Sequence, residues 1–132
     1  MNKKEDPHSF NLSEMEKWME NFFLDPLTSY MDQLTFRIDL FETENEIIVE
    51  ALLTGCVPKD VTVSLKENKV IIKAVKRELP SKKSGQPCIR EVELPFKVIN
   101  KRVTAAYSNG ILEIFIAKNE AGPGCNRNIA IP

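Results

Sequence analysis

The sequence predicts an all-β protein, an antiparallel β-sandwich with a short helical arm before it and a flexible tail after it. Two observations support this fold class. From Phe36 onward, short segments of alternating apolar and polar residues recur about every 8–12 residues, with no helical pattern between them. Two of these segments are joined by Asn109-Gly110, the strongest short signal for a β-hairpin. We therefore divide the 132 residues into an arm (1–35), a β domain (36–118) and a tail (119–132).

The arm contains one predicted amphipathic helix over 14–24, which Pro26 ends. Its apolar side chains fall on one side at helical spacing; they are Met15, Trp18, Met19, Phe22 and Phe23. About three turns of helix are marginal alone in water, so this stripe needs a surface to cover it. That surface is its own β domain, another subunit or a non-native client protein. We expect contacts with other subunits, because the β domain is able to close its core without the arm.

In the β domain, strands are predicted at 36–40, 47–53, 61–65, 70–75, 89–94 and 98–99, followed by a hairpin over 103–116. A two-residue type I′ turn requires positive φ at both positions, which Asn109 and Gly110 tolerate best. This turn pairs Ser108 with Ile111. By the same register, Tyr107 pairs with Leu112, Ala105 with Ile114 and Val103 with Ile116, and these six side chains form one core-facing surface.

The hairpin also carries a family resemblance. Ala105, Asn109, Gly110, Ile111 and Leu112 fit the A-x-x-x-N-G-V-L signature of the small heat shock proteins, the α-crystallin family, with Ile in place of Val. Three further motifs stand in the family's order: Ala51-Leu-Leu-Thr-Gly55 with Asp60-Val-Thr-Val63, Arg90-Glu-Val-Glu-Leu-Pro95, and Ile129-Ala-Ile131. The resemblance implies an immunoglobulin-like α-crystallin domain. It also implies an ATP-independent holdase that binds partly unfolded proteins and works as a homodimer or larger homo-oligomer, without a cofactor.

The tail motif supplies two apolar side chains that are suited to docking. Residues 117–128 have a coil composition and are long enough to reach another subunit. Ile129 and Ile131 then point to one side of an extended segment and suit a groove at a sheet edge. In the family this groove lies between the strand that carries Val61, Val63 and Leu65 and the strand that carries Val103 and Ala105. The resemblance further implies that Arg90 makes ionic contacts at a subunit interface.

The mode of dimerisation stays open at this point. Bacterial and plant relatives use a long loop to swap a strand into the partner subunit. Here only residues 76–88 are available, with Pro80 and Pro87 among them. This loop is short for strand swapping, so we do not expect that mode.

Composition excludes several function classes. Near-balanced charge, 18 basic against 19 acidic residues, and a basic stretch without stacking aromatics argue against nucleic-acid binding. No apolar run approaches a membrane span, and we expect no signal peptide and a cytoplasmic protein. Cys56, Cys88 and Cys125 are odd in number and widely spaced, which favours ordinary thiols in a reducing compartment. His8 belongs to no ligand set, and no catalytic or metal-binding motif is present, so we do not expect an enzyme.

A second function class remains open. Residues 15–53 resemble spore-coat members of the family from Bacillus-type bacteria. In that case the same surfaces would assemble a shell in the spore coat, and chaperoning would be secondary.

Overall fold

The computed structural model describes residues 12–75 and 87–132. Its helices are α1 (Leu12–Leu24) and α2 (Pro26–Leu34). Its strands are β1 (Ile38–Glu42), β2 (Glu46–Leu52), β3 (Val61–Lys66), β4 (Lys69–Val75), β5 (Pro87–Glu93), β6 (Lys101–Ser108), β7 (Ile111–Ala121) and β8 (Arg127–Ile129). Single 3₁₀ turns precede β3 (Pro58–Asp60) and β6 (Val98–Asn100).

The strands form two four-stranded antiparallel sheets that pack face to face. Sheet A has the order β1-β2-β7-β6, and sheet B has the order β5-β4-β3-β8. Alternate side chains along each strand point inward and fill one core: Ile38, Leu40, Ile47, Val49, Ala51, Val61, Val63, Leu65, Val70, Ile72, Ala74, Val92, Leu112, Ile114 and Ile116. The predicted antiparallel β-sandwich is confirmed.

The predicted hairpin is present with the predicted register. Asn109 has φ 54° and Gly110 has φ 79°, as a type I′ turn requires. Ser108 lies opposite Ile111 and Val103 lies opposite Ile116. The two-residue turn fixes this register. The apolar pattern supports the same register, because a slip by one residue would move the apolar face to solvent.

Three elements differ from the prediction. Asp25 caps a second helix, α2, by accepting a hydrogen bond from the Leu27 N–H at 2.9 Å, with Pro26 at its first position. Segment 98–99, predicted as a strand, is a 3₁₀ turn that buries Val98 and Ile99. Residues 117–121, predicted as coil, continue β7 because they pair with the start of β6, where Ala121 lies opposite Lys101. His8 and residues 76–86 of the predicted loop lie outside the described residues. The last two residues of that loop, Pro87 and Cys88, begin β5.

Candidate binding surfaces of the arm and the tail

The predicted apolar stripe of α1 lies mainly against the protein's own sandwich. Met15 is 1% exposed, and Trp18, Met19 and Phe22 pack against the core. The indole Nε1–H of Trp18 donates to the Glu93 carbonyl, at the end of β5, over 2.8 Å. These contacts correspond to the first of the three surfaces that the sequence leaves open, the protein's own domain. A role of the stripe in subunit or client binding stays a prediction.

The arm presents a different apolar surface to solvent. We define the arm patch as five exposed large apolar side chains: Phe23, Leu24, Leu27, Tyr30 and Leu34. Phe23 is 48% exposed and meets the Phe22 ring edge to face at 5.5 Å between centroids. Sequence reasoning missed the other four members. Leu27, Tyr30, Met31 and Leu34 follow i, i+3, i+4, i+7 spacing, and that signal predicts an amphipathic helix.

Arg90 holds the arm to sheet B from a buried position. Its side chain is 5% exposed, and Nη1 donates to Asp32 Oδ1 and to the Phe36 carbonyl, each at 2.7 Å. Asp32 Oδ1 also accepts the Ile38 N–H at 3.2 Å. One carboxylate of α2 therefore connects to both β5 and the start of β1. The ionic partner in this structure belongs to the same chain, and a contact between subunits through Arg90 stays a prediction.

A groove of about 790 Å³ separates the arm from the β5 edge of sheet B. Trp18, Phe22 and Leu27 line it from the helices, and Ile89 and Leu94 line it from the sheet side. Ile89 is 44% exposed. The groove brings exposed apolar side chains beside an edge strand, whose outer backbone groups are able to accept an added strand.

The tail docks on β3 of its own chain. In β8, Ile129 lies opposite Val63 and Arg127 lies opposite Leu65, antiparallel. Ile129 and Ile131 are both half-buried and pack against the core. The predicted groove residues are all buried; they are Val61, Val63, Leu65, Val103 and Ala105. The segment thus lies beside the predicted strand, but on the same subunit. Its function as a tie between subunits stays a prediction.

A tight turn explains why the tail folds back. Because β7 continues to Ala121, only residues 122–126 connect it to β8. The Gly122 N–H donates to the Asn100 carbonyl and the Gly124 N–H to the Ile99 carbonyl, both at 2.9 Å. A Cβ on Gly122 would lie 2.3 Å from the Lys101 carbonyl oxygen, so the close approach requires glycine.

The guanidinium of Arg127 completes this anchor. Nη1 donates to the Ile99 carbonyl at 2.9 Å, and Nη2 donates to the Lys101 carbonyl at 2.8 Å. Both acceptors lie at the start of β6 or just before it. Charge-assisted hydrogen bonds of this kind are stronger than neutral ones. The first residue of β8 is therefore fixed to sheet A while its backbone pairs with sheet B.

Within residues 12–75 and 87–132, no group of three or more His, Cys, Asp or Glu side chains is placed to hold a metal ion. In the same ranges no helix is long and apolar enough to cross a membrane.

Comparison with curated proteins gives two relatives that cover most of the chain. The chain is 33% identical over 130 residues to spore coat protein M of Bacillus subtilis, covering 98% of this chain and 91% of that protein. It is 27% identical over 117 residues to small heat shock protein C2 of Rickettsia felis, covering 81% and 76% respectively.

Solved structures of small heat shock proteins share the fold. The Del-C4 mutant of hsp14.1 from Sulfolobus solfatataricus matches with a TM-score of 0.56 and 26% identity, over 81% of this chain and 98% of that chain. The hspA of Xanthomonas axonopodis matches with a TM-score of 0.50 and 26% identity, over 65% and 95%. Residues 39–132 match the family described as Hsp20/alpha crystallin. With its sandwich, its signature hairpin and this match over most of its length, the chain belongs to the Hsp20/alpha crystallin family, the small heat shock proteins.

Proposed function

We propose that this protein is an ATP-independent holdase that binds partly unfolded proteins through its arm and works as a homo-oligomer. The observation that carries the proposal is the arm patch. Of the nine exposed large apolar side chains among the described residues, five lie on the arm. Such exposed apolar surface marks a binding site for protein, and non-native chains expose the apolar segments that would cover it.

The tail would act as the releasable element of this holdase. Because Ile129 and Ile131 are half-buried, their burial is worth roughly 1.5–3 kcal/mol gross, and ordering the tail subtracts much of that. A contact of this size opens thermally. When β8 leaves, the outer edge of β3 and the apolar side chains beneath Ile129 become available to a client segment or to the tail of another subunit.

The test of the arm is suppression of aggregation of a heated client, followed by light scattering without nucleotide. Leu27, Tyr30 and Leu34 are all more than half exposed, so their simultaneous change to Ser leaves the core intact. We expect the wild-type protein to suppress scattering and the triple variant to lose most of this activity. Val57→Ser is the matched control, because Val57 is 44% exposed outside the arm. Equal suppression by the wild type and the triple variant would refute binding through the arm patch.

A second candidate, structural assembly of a spore coat, is favoured by one specific observation. The similarity to spore coat protein M covers 98% of this chain, including the arm. In this case the arm patch and the tail would contact other subunits of a shell. Fractionation of the native host distinguishes the two: a holdase is recovered in the soluble fraction of growing cells, whereas a coat protein is recovered only with the insoluble spore fraction.

A further inference from the structure

The outer face of sheet A carries a row of carboxylates that are paired directly across the strands. Asp39 of β1 lies opposite Glu50 of β2, and Glu50 lies opposite Glu113 of β7. Like charges placed opposite each other destabilise a sheet. Arg37 pairs with Asp39 at 3.2 Å, whereas the described part of the chain provides no ion pair for Glu50 or Glu113. We call these three carboxylates the acidic row.

Apolar side chains flank the acidic row on both sides. On one side the cross-strand register aligns Phe41, Ile48 and Phe115; on the other it aligns Leu52 and Ile111. Phe41 is 46% exposed and Leu52 is 47% exposed. Burial, followed by the charges of Glu113 and Asp39, raises the pKa of Glu50 above its ordinary value, so a cation brought to this row would stabilise the ionised form. The face therefore combines exposed apolar side chains with two carboxylates, Glu50 and Glu113, that have no ion pair among the described residues.

The outer face of sheet B carries three lysines, Lys66, Lys69 and Lys73, and two exposed glutamates, Glu91 and Glu93. Lys66 lies opposite Lys69, and Lys73 lies between Thr62 and Ile89 with no carboxylate directly opposite. Lys69 lies directly opposite Glu93 and pairs with Glu91 at 3.5 Å, so carboxylates of its own face already meet its charge. Within the described residues Lys66 and Lys73 have no ion pair, and both are exposed. We call Lys66, Lys69 and Lys73 the basic row. Ile71 is its apolar neighbour on the same face, whereas Ile89 lines the groove beside the arm.

We propose that the outer face of sheet A packs on the outer face of sheet B of a second copy of this chain. The acidic row would meet Lys66 and Lys73, while Phe41 and Leu52 would cover Ile71. A second copy of the chain fits better than an unrelated basic partner, because every copy carries one outer face of sheet A and one outer face of sheet B. This contact uses none of the five side chains of the arm patch and neither isoleucine of the tail, and it does not depend on the proposed holdase activity.

The geometry makes this contact open-ended. The two faces lie on opposite sides of one sandwich, so a copy bound through its sheet A still offers its sheet B. Heterologous contacts of this kind extend into stacks unless a rotation closes them into a ring. A four-stranded face is only about 15 Å wide, which places the contact near the lower size limit of specific interfaces. Each contact is therefore weak and sensitive to salt.

The test is a charge-swap mixing experiment on the full chain, read as weight-average mass by sedimentation velocity. One variant carries Glu50→Lys and Glu113→Lys; the other carries Lys66→Glu and Lys73→Glu. Each variant alone would oppose like charges, so we expect both to lose the larger species that the wild type forms at low salt. The equimolar mixture pairs opposite charges again and is expected to recover those species. The wild type itself is expected to lose them when salt is added.

Controls separate this proposal from a folding defect and from the holdase proposal. Glu44→Lys and Lys59→Glu reverse exposed charges outside both rows and are expected to leave the mass unchanged. Glu50→Gln with Glu113→Gln removes the charges without reversing them and serves if the lysine variant fails to fold. Suppression of client aggregation is expected to survive in all these variants. A mass that is unaffected by Lys66→Glu with Lys73→Glu, or a mixture that does not recover the wild-type species, would overturn the proposal.

Discussion

At the scale of single residues, the attachment of the arm depends on one ion pair. Asp32 and Arg90 stand 58 positions apart in the chain, and each also bonds to backbone: Asp32 to the Ile38 N–H and Arg90 to the Phe36 carbonyl. Arg90 is visible in the sequence as part of a motif, but its partner is not. Nothing local distinguishes Asp32 from the other acidic residues of the arm, because its role arises only when α2 packs on the sheet.

Asp32→Asn is expected to loosen the arm without unfolding the sandwich. The buried guanidinium would lose a charged acceptor, which costs about 2 kcal/mol. In hydrogen exchange we therefore expect the amides of α2 to exchange about 30-fold faster, while those of β2 and β7 keep their protection. Gln33→Ala, an exposed change in the same helix, is the control. Unchanged exchange in α2 would mean that apolar packing alone holds the arm.

The raised pKa of Glu50 predicts a dependence of stability on pH. Burial and the neighbouring carboxylates of Glu113 and Asp39 raise this pKa above 4.5 in the folded protein. The folded state therefore binds the proton more readily than the unfolded chain, so the contribution of Glu50 to the free energy of unfolding falls as pH rises through that window. We expect Glu50→Gln to be more stable than the wild type at neutral pH, and the difference to shrink as pH falls toward 4.5.

Urea unfolding at a series of pH values measures this difference. Glu44→Gln, an exposed change in the turn between β1 and β2, is the matched control. A stability difference between Glu50→Gln and the wild type that does not change with pH would contradict the assignment.

At the scale of elements, the sequence predicts those helices and strands that neighbouring residues determine. The hairpin of β6 and β7 follows from Asn109-Gly110 and from alternation alone. The helix α2 was predictable as well, from the cap at Asp25, the proline after it and the spacing of Leu27, Tyr30 and Leu34. Two other features depend on pairing between distant segments: the 3₁₀ turn at Val98–Asn100 and the extension of β7 to Ala121. The alternation of apolar and polar residues along the sequence does not predict such pairing.

The turn at Gly122 makes a prediction about β8. In Gly122→Ala the new methyl group would collide with the Lys101 carbonyl, so the turn must open and β8 must lose its alignment with β3. We expect the amides of Arg127–Ile129 to lose protection in hydrogen exchange while the β3–β4 ladder remains protected. Asn119→Ala, an exposed change in β7, is expected to leave both unchanged. Retained protection of β8 in the glycine variant would show that the turn does not direct the tail.

At the scale of the whole molecule, the family and the sandwich follow from sequence, whereas the arrangement of the ends does not. Docking of the tail beside Val63 was predicted from the motif at Ile129 and Ile131. Whether the tail docks on its own subunit or on another depends on the length of chain between β7 and β8. The sequence predicts coil over 117–128, whereas in the structure only residues 122–126 connect the two strands.

Removing residues 129–132 tests the tail in the assembly. We expect the chain that ends at Asn128 to form smaller particles in light scattering than the full chain, because the groove then lacks the apolar side chains that would join subunits. Ala130→Ser, which leaves both isoleucines in place, is the control. Identical masses for the truncated and full chains would restrict the tail to its own subunit.

The five-residue connection from β7 to β8 determines how readily tails exchange between copies and how this exchange depends on protein concentration. A segment tethered this closely meets its own binding site at an effective concentration in the millimolar range. Free chains at micromolar concentration cannot compete with it for long. Exchange of tails between copies should therefore require crowding or heat, and dilution should return each tail to its own groove, so particles tied in this way would fall apart gradually as the protein is diluted.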